Sequence, residues 1–352
     1  MTLLTDHPTT RFRSPDDTTA PAPAEAHGLA RDAVRLMVAS SHGITHARFR
    51  DLPDHLAPGD LVVVNNSATI AGQVDGHRAD HGPVVVHVAT PLDDGSWVVE
   101  LRSAPDAASP VLDAAPGEHV EVGRLVLTLL APYPAEGSSP TGAGNRLWRV
   151  AADGDLADTL AREGRPISYG YLDRHYPLSA YQSVFSTMPG SAEMPSAGRP
   201  FTDALVTRLI AGGVGVAPIT LHTGVSSQDA GEAPQPERFE VPETTARLVN
   251  AARATGGRVV AVGTTVTRAL ESAVRPDGRV VAARGWTERV ISPSDPARVV
   301  DGLITGWHNP EASHLLLVES IAGAGLTQAA YDAAVDEGYL WHEFGDSALL
   351  LP

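Results

Sequence analysis

Apolar residues along this chain follow two rhythms. The unbroken apolar run at residues 61–64 reads as a strand buried on both faces, and residues 35–39, 214–221 and 258–262 also read as strands. Helical periodicity fills residues 202–213, 242–255 and 327–337, and a further helix begins at Thr264. The first two of these helices stop at Gly212-Gly213 and Gly256-Gly257, and Pro242 suits a first helical position. Residues 49–56 suggest a short helix before a Pro58-Gly59-Asp60 turn, and residues 299–304 and 314–322 continue the alternation. Repeated βα units imply a largely parallel sheet.

Residues 72–151 break that pattern. Short β-rich runs at 84–89, 97–102, 120–122, 125–130 and 147–150 are separated by Gly, Pro, Asp and Ser clusters. This spacing predicts a small β-barrel or sandwich inserted into the α/β pattern. The expected fold is a large mixed or parallel α/β domain, residues 27–71 and 152–352, with an inserted small β-barrel domain at 72–151. Residues 1–26 read as a flexible lead-in without the apolar core of a secretory signal. No run reaches the roughly 18 apolar residues of a membrane span, so a cytoplasmic protein is expected.

Composition narrows the chemistry. The 352 residues are 43% hydrophobic, enough for a sizeable core. The absence of cysteine excludes disulfides, thiolate metal sites and Cys nucleophiles. All 26 basic residues are arginine, which excludes a lysine Schiff base and a P-loop lysine. The formal charge of −16 runs against generic nucleic-acid binding, so any RNA contact must use a local arginine patch on an acidic body.

In parallel α/β sheets ligands bind beyond the carboxyl ends of strands. Three such ends carry unusual polar residues: Thr220 to Gly224 with His222; Gly263-Thr264-Thr265 with Arg268 and Glu271; and Thr305 to Pro310 with Trp307 and His308. Gly263 permits close backbone approach, and Thr264 and Thr265 open a helix whose free N–H groups can hold a carboxylate or ribose. Arg268, one turn on, can fork onto a carboxylate. The plain alternative is a Gly-Thr helix start with a surface arginine. His222 and His308 can move protons near neutral pH, or can be structural. Trp307 can stack on an adenine or face a sulfonium, or can be core. Asp32 and Arg35 form a charge cluster with Arg31, and Asp346 stands at a strand entrance or in a turn. No metal is expected: His77 and His81 flank a hairpin tip rather than a ligand-bearing helix. Gly323-Ala-Gly325 is too short for a dinucleotide fingerprint.

Several of these segments fall in register with one known pattern. They include Arg31-Asp32-x-x-Arg35-Leu36, Leu56-x-Pro-Gly-Asp60-Leu-Val-Val-Val-Asn65, Tyr181-Gln182-Ser-Val-Phe185 and Pro195-Ser-Ala-Gly198 followed by Phe201-Thr202. Thr220-Leu-His-x-Gly224, the block from Ala261 to Ser272, Leu303-Ile-Thr305, His308-x-Pro310 and Gly345-Asp346 follow in order. From about Arg31 onward the chain resembles the S-adenosylmethionine:tRNA ribosyltransferase-isomerase family of queuosine biosynthesis.

The resemblance implies a large α/β domain with an inserted β-barrel. It implies an enzyme that transfers and isomerises the ribosyl group of S-adenosylmethionine onto a 7-aminomethyl-7-deazaguanine in a tRNA anticodon. Adenine and methionine leave, an epoxycyclopentanediol forms, and no metal takes part. His222, Glu237 or His308 serves as base or acid. Gly263, Thr264, Thr265, Arg268, Asp32, Arg35, Trp307 and Asp346 stand on the cofactor side, and Ser196, Gly198, Arg199 and Thr202 on the acceptor side. S-adenosylmethionine and tRNA are the expected partners of a monomer or homodimer.

The chain departs from that pattern in places. Asn65-Asn66-Ser67-Ala68 replaces Asn-Asp-Thr-Arg, and Arg199-Pro200 replaces Leu-His. Residues 225–229 differ from the usual Ala-Gly-Thr-Phe, Gln235-Pro236-Glu237 stands for Met-His-x-Glu, and Glu311 stands where a lysine is usual. Lost cations weaken phosphate binding. Two further readings stay open: a paralogue acting on a small molecule or another acceptor, and a non-catalytic nucleoside-binding protein.

Overall fold

The computed structural model describes residues 4, 6–13, 18–137, 142–226, 231–310 and 312–352. Glu311 and most of the divergent stretch 225–229 lie outside the described residues. The chain opens with β1 (Arg35–Ser40) and β2 (Gly43–Arg48), then β3 (Leu61–Asn65) and the short β4 (Ser67–Thr69). Six strands follow: β5 (Gln73–Arg78), β6 (Gly82–Pro91), β7 (Trp97–Ser103), β8 (His119–Val122), β9 (Leu125–Pro132) and β10 (Leu147–Ala152). After α1 (Leu156–Glu163) come β11 (Met188–Ser191), α2 (Asp203–Ala211), β12 (Gly215–His222), β13 (Glu237–Val241), α3 (Glu243–Ala254) and β14 (Val259–Val262). The chain ends with α4 (Thr264–Ser272), β15 (Ala283–Thr287), β16 (Gly302–Thr305), α5 (Ser313–Ala322), α6 (Ala324–Asp336) and β17 (Ser347–Leu351).

Nine strands form one sheet in the order β15-β13-β12-β3-β14-β16-β17-β1-β2. The continuous apolar run of β3 serves both faces. Leu61 and Val63 enter the core under α3 to α6, while Val62 and Val64 enter the core with Phe49, Phe201 and Leu209. β14 divides in the same way, as period-two alternation requires.

The sheet is mixed rather than largely parallel. β12, β3, β14 and β16 run together, and β17 pairs with β1 in parallel, but β16–β17, β1–β2, β12–β13 and β13–β15 are antiparallel. A single crossover helix returns a strand in parallel. The helix pair α5–α6 between β16 and β17 brings the chain back the other way, and β13 returns from β12 with no helix at all.

Strands β5 to β10 close into a barrel. Its core holds Val86, Leu101, Leu127 and Trp148, joined by Leu156 and Leu160 of α1. Strand β5 has no apolar run to announce it. It fits because Gly76 lets Val86 and Val120 approach: a Cβ there would stand 3.0 and 3.1 Å from their side chains.

The lead-in before Arg31 is not a flexible tail where it is described. Phe12 stacks on Tyr331 and Trp341 at centroid distances of 4.6 and 5.4 Å, and Ala20 and Ala22 are buried. The Glu319 carboxylate accepts the Thr10 N–H at 2.6 Å and the Thr9 N–H at 2.9 Å. Polar composition suggested mobility, but Glu319, Gln328 and the Trp341 carbonyl supply partners for this backbone. Burial alone would raise the Glu319 carboxyl, yet the Thr9 and Thr10 hydrogen bonds more than reverse it and leave it below its ordinary value. This docking is therefore fully present at neutral pH and weakens as pH falls through that lowered value. Glu319→Gln should cost about 1–3 kcal/mol of local stability. Hydrogen exchange should speed up across residues 6–13 while the amides of β3 and β14 keep their protection; equal loosening throughout would show that the segment is not separately docked.

Candidate active site

The carboxyl ends of β12, β14 and β16 point to one rim of the sheet because the three strands run parallel about β3. A cavity of about 530 Å³ opens there. Thr223 and Gly224 after β12, Gly263 to Thr265 after β14 and Gly306 to Pro310 after β16 all line it. Chain order reverses about β3 at this point, which is where open α/β sheets place ligands.

Gly263 adopts φ 91°, a left-handed turn that lets the chain leave β14 and enter α4 at once, with its N–H bonded to Ile304 O at 2.7 Å. The free first turn of α4 therefore faces the cavity. The helix is buried from Val266 to Glu271. At its far end the Glu271 carboxylate accepts N–H bonds from Arg298, Val299 and Val300 at 2.9, 2.8 and 3.2 Å, fixing the segment that leads into β16.

Arg268 lines the cavity, but its donors are already engaged within the protein. It pairs with Glu237 and donates to the carbonyls of Gln235 at 3.0 Å, Thr287 at 3.3 Å and Arg289 at 3.3 Å. The expected fork onto a ligand carboxylate is thus occupied by Glu237. Burial raises the Glu237 carboxyl above its ordinary value, with Arg268 acting in the opposite sense.

His308 lines the opening after β16. Its Nε2 lies 3.1 Å from Thr305 Oγ1, and its ring stacks on His314 at 4.6 Å with planes 5° apart. Burial holds both imidazoles down, His308 well below its ordinary value and His314 at about 4, and each faces another positive or titratable group. Both are neutral near pH 7 and able to accept a proton. Trp307 is a core side chain, packed edge-on to Tyr331 at 5.1 Å, with one side reaching the cavity.

Ser196 also lines the cavity, but seven other candidates do not. His222 turns to the Ser67 hydroxyl, its Nδ1 2.7 Å from Ser67 Oγ, which in turn bonds Ser191 Oγ at 2.6 Å, because alternation along β12 points it away from Leu221 and the core. Arg35 and Asp346 pair with each other at 2.9 Å, and the Asp346 carboxylate also accepts the Arg35 and Leu340 N–H groups. That pair locks the ends of β1 and β17. Thr202 caps α2 through the Leu205 N–H at 3.2 Å and reaches Asp32 at 3.4 Å. Arg199 is buried on Glu25, the Ala180 carbonyl and the Phe344 ring. Gly198 faces Ser183 and Phe185.

The cavity recruits residues that no sequence pattern marked. Tyr169 and Tyr171 stack with centroids 6.2 Å apart, and Tyr171 stacks on His342 at 5.2 Å. Tyr169 lies beneath the Arg102 guanidinium of β7 at 4.9 Å, so the barrel contributes to the wall. Tyr169 donates to Glu193, and Tyr171 to Glu343. His342 has φ 68°, a conformation uncommon outside glycine and found disproportionately at functional sites. Two tyrosines around Gly170, in a run with neither helix nor strand period, were the available clue. Among the described residues no three His, Asp or Glu side chains gather as a metal-binding set.

An α/β sheet with a polar cavity at its switch point and a β-barrel on its rim defines a two-part α/β enzyme scaffold. A family model described as queuosine biosynthesis protein matches residues 9–350, and the chain belongs to that family. It is 37% identical over 97% of both chains to the S-adenosylmethionine:tRNA ribosyltransferase-isomerase of Anaeromyxobacter dehalogenans. It is 38% identical to the Thermus thermophilus protein of that name, over 91% of this chain and 93% of the relative. The crystal structure of S-adenosylmethionine tRNA ribosyltransferase from Thermotoga maritima superposes with a TM-score of 0.53 at 26% identity, covering 97% of this chain and 99% of that one. No helix among the described residues is long and apolar enough to cross a membrane.

Removing Arg268 should harm the fold before it harms binding. Arg268→Ala leaves Glu237 buried without its counter-charge, at a cost of about 3–5 kcal/mol. Arg268→Ala with Glu237→Ala should be less destabilised than the sum of the single changes, by at least ~1 kcal/mol in chemical unfolding. Strict additivity would deny the pair its role.

Proposed function

We propose that this cavity binds S-adenosylmethionine and that the chain transfers and isomerises its ribosyl group onto a 7-aminomethyl-7-deazaguanine of tRNA, forming the epoxyqueuosine side chain. The observation that carries the reading is the charge of the wall. Five ordinarily charged side chains line the cavity: Arg102, Arg268, Glu193, Glu237 and Glu343. Arg268 is matched by Glu237, and Arg102 by Glu100 behind it at 2.5 Å. Among the described residues no arginine or histidine forms an ion pair with Glu193 or Glu343, whose carboxyls accept tyrosine hydroxyls instead, so the wall is suited to positively charged reactants. S-adenosylmethionine and a protonated aminomethyl group are both such reactants.

Within this reading the first turn of α4, with Gly263, Thr264 and Thr265, holds the methionine carboxylate through free N–H groups and hydroxyls. The sulfonium acidifies the neighbouring C5′ hydrogens, so one modest base starts the reaction. His308, neutral and facing the cavity with His314 behind it, is our choice of base. His222 does not line the cavity and Glu237 is engaged by Arg268, which leaves both poorly placed for that task.

The strongly acidic body favours a second reading, in which the same cavity serves a smaller acceptor. The formal charge is −16, and Arg199, where the family pattern has Leu-His, is buried on Glu25. Calorimetric titration with S-adenosylmethionine should give saturable heat, and incubation with tRNA carrying the aminomethyl base should release adenine. Adenine release with the free modified base but not with tRNA would select the smaller acceptor. Absence of both heat and adenine would remove the enzyme reading. His308→Gln should lower the turnover rate by about 10²-fold while S-adenosylmethionine still binds. Unchanged turnover would free His308 of the role.

A further inference from the structure

We propose that Glu193 and Glu343 together seat the primary amine of the acceptor and take its proton before it attacks, an assignment that rests on the reading above. The two carboxylates belong to one wall. Each accepts a tyrosine hydroxyl, Glu193 from Tyr169 and Glu343 from Tyr171, and those two rings are stacked on each other. Glu193 also accepts the Ser226 N–H at 3.1 Å and the Ser226 hydroxyl. The elements that carry this wall are distinct from those that carry the first turn of α4. Glu193 follows β11, Glu343 precedes β17, and the tyrosines lie between α1 and β11. The cavity thus has an N–H-rich end suited to a carboxylate and a carboxylate-rich wall suited to a cation.

An ammonium fits that wall better than a sulfonium does. A protonated amine offers three N–H donors to two carboxylates, whereas a sulfonium offers none. The acceptor amine must also lose a proton before its nitrogen can act as a nucleophile. A primary alkyl amine titrates near ~10, so at neutral pH almost all of it is protonated and its lone pair is unavailable. The proposed step moves one proton only. R–NH₃⁺ and a carboxylate become R–NH₂ and a carboxylic acid, and no other bond changes. The freed lone pair then forms the new C–N bond of the proposed transfer, in which methionine and adenine are the leaving groups.

The surroundings suit a carboxylate to this exchange. Burial raises both carboxyls above the ordinary range, which brings them closer to the amine, and the neighbouring Glu343 charge adds to the rise at Glu193. The titratable and charged groups facing the pair are Tyr169, Tyr171, Tyr181, Glu237, Glu100 and Arg102, with His342 against Tyr171. Burial also pushes Tyr169 and Tyr171 well above the ordinary phenol value, so both stay protonated and keep donating.

The test compares wild type, Glu193→Gln and Glu343→Gln by calorimetry with S-adenosylmethionine and by product formation with an anticodon stem-loop RNA bearing the aminomethyl base. The variants should bind S-adenosylmethionine within about threefold of wild type while kcat/KM for the RNA drops about 100-fold. Their residual rate should climb by about tenfold per pH unit up to about pH 9, because only amine deprotonated by solvent then reacts. Wild type should instead rise on its acid side, as the raised carboxyls ionise, and then level off. Should either glutamine variant fail to fold, Tyr169→Phe serves in its place. It removes a hydrogen bond that lowers Glu193, so the acid limb should move to higher pH. A large loss of S-adenosylmethionine affinity with an unchanged pH profile would assign the carboxylates to the amino-acid ammonium of that substrate and overturn the proposal. Unchanged kcat/KM in both variants would overturn it as well. A wild type that neither binds S-adenosylmethionine nor releases adenine would instead defeat the reading beneath it.

Discussion

Arg268 is the side chain on which the cavity most depends. Its guanidinium joins α4 to the carboxylate of β13 and to carbonyls before β13, at the end of β15 and just beyond it. A planar group with five fixed donors is a suitable connector for acceptors on several elements. Lysine could not fill the place, since a point charge with three donors cannot span the same acceptors. The pair also sets the charge of the floor. By cancelling Glu237 it leaves the excess negative charge with Glu193 and Glu343 on the neighbouring wall.

A second ionic network ties the barrel to that wall. Glu100, with no exposed side-chain surface, pairs with Arg102 at 2.5 Å and with Arg146 at 3.0 Å. Arg146 continues to Glu232 at 2.6 Å and to the Ser226 carbonyl at 3.1 Å. The chain of charges runs from barrel strand to the segment after β12 that also bonds Glu193. Buried ion pairs are weak sources of stability but strict about geometry. Here they set where the barrel sits relative to Tyr169, whose ring lies under Arg102. The barrel is therefore a wall of the site as well as an appendage to the sheet.

Periodicity carried the sheet, because strands such as β3 and β14 are apolar on both faces. It did not carry β5, whose place is set by a glycine, or the lead-in, whose described part docks through Glu319 on α5 and the Phe12 ring. The site divides along the same line. Gly263, Thr264, Thr265 and His308 follow strand ends, so topology exposes them. Glu193, Glu343, Tyr169 and Tyr171 come from irregular segments, and only packing brings them together. Motif matching alone did not show the partners of Arg35, Asp346, Thr202 and Arg199, which in the structure form a strand lock, a helix cap and a buried ion pair.

The departures from the family pattern fit this division. Asn65, at the end of β3, accepts the Ser67 and Leu221 N–H groups at 3.0 Å each and donates to the Leu221 carbonyl at 2.8 Å, crosslinking β3 to β12. Asn66 accepts the Thr220 hydroxyl at 2.7 Å, and Ser67 holds His222. Each retained or substituted polar group in this stretch is engaged within the sheet, so losing an arginine at position 68 removes a charge without opening the scaffold. Ala68 does not line the cavity. The chemistry of the cavity is constrained separately from this stretch, by charges that must balance within about 530 Å³.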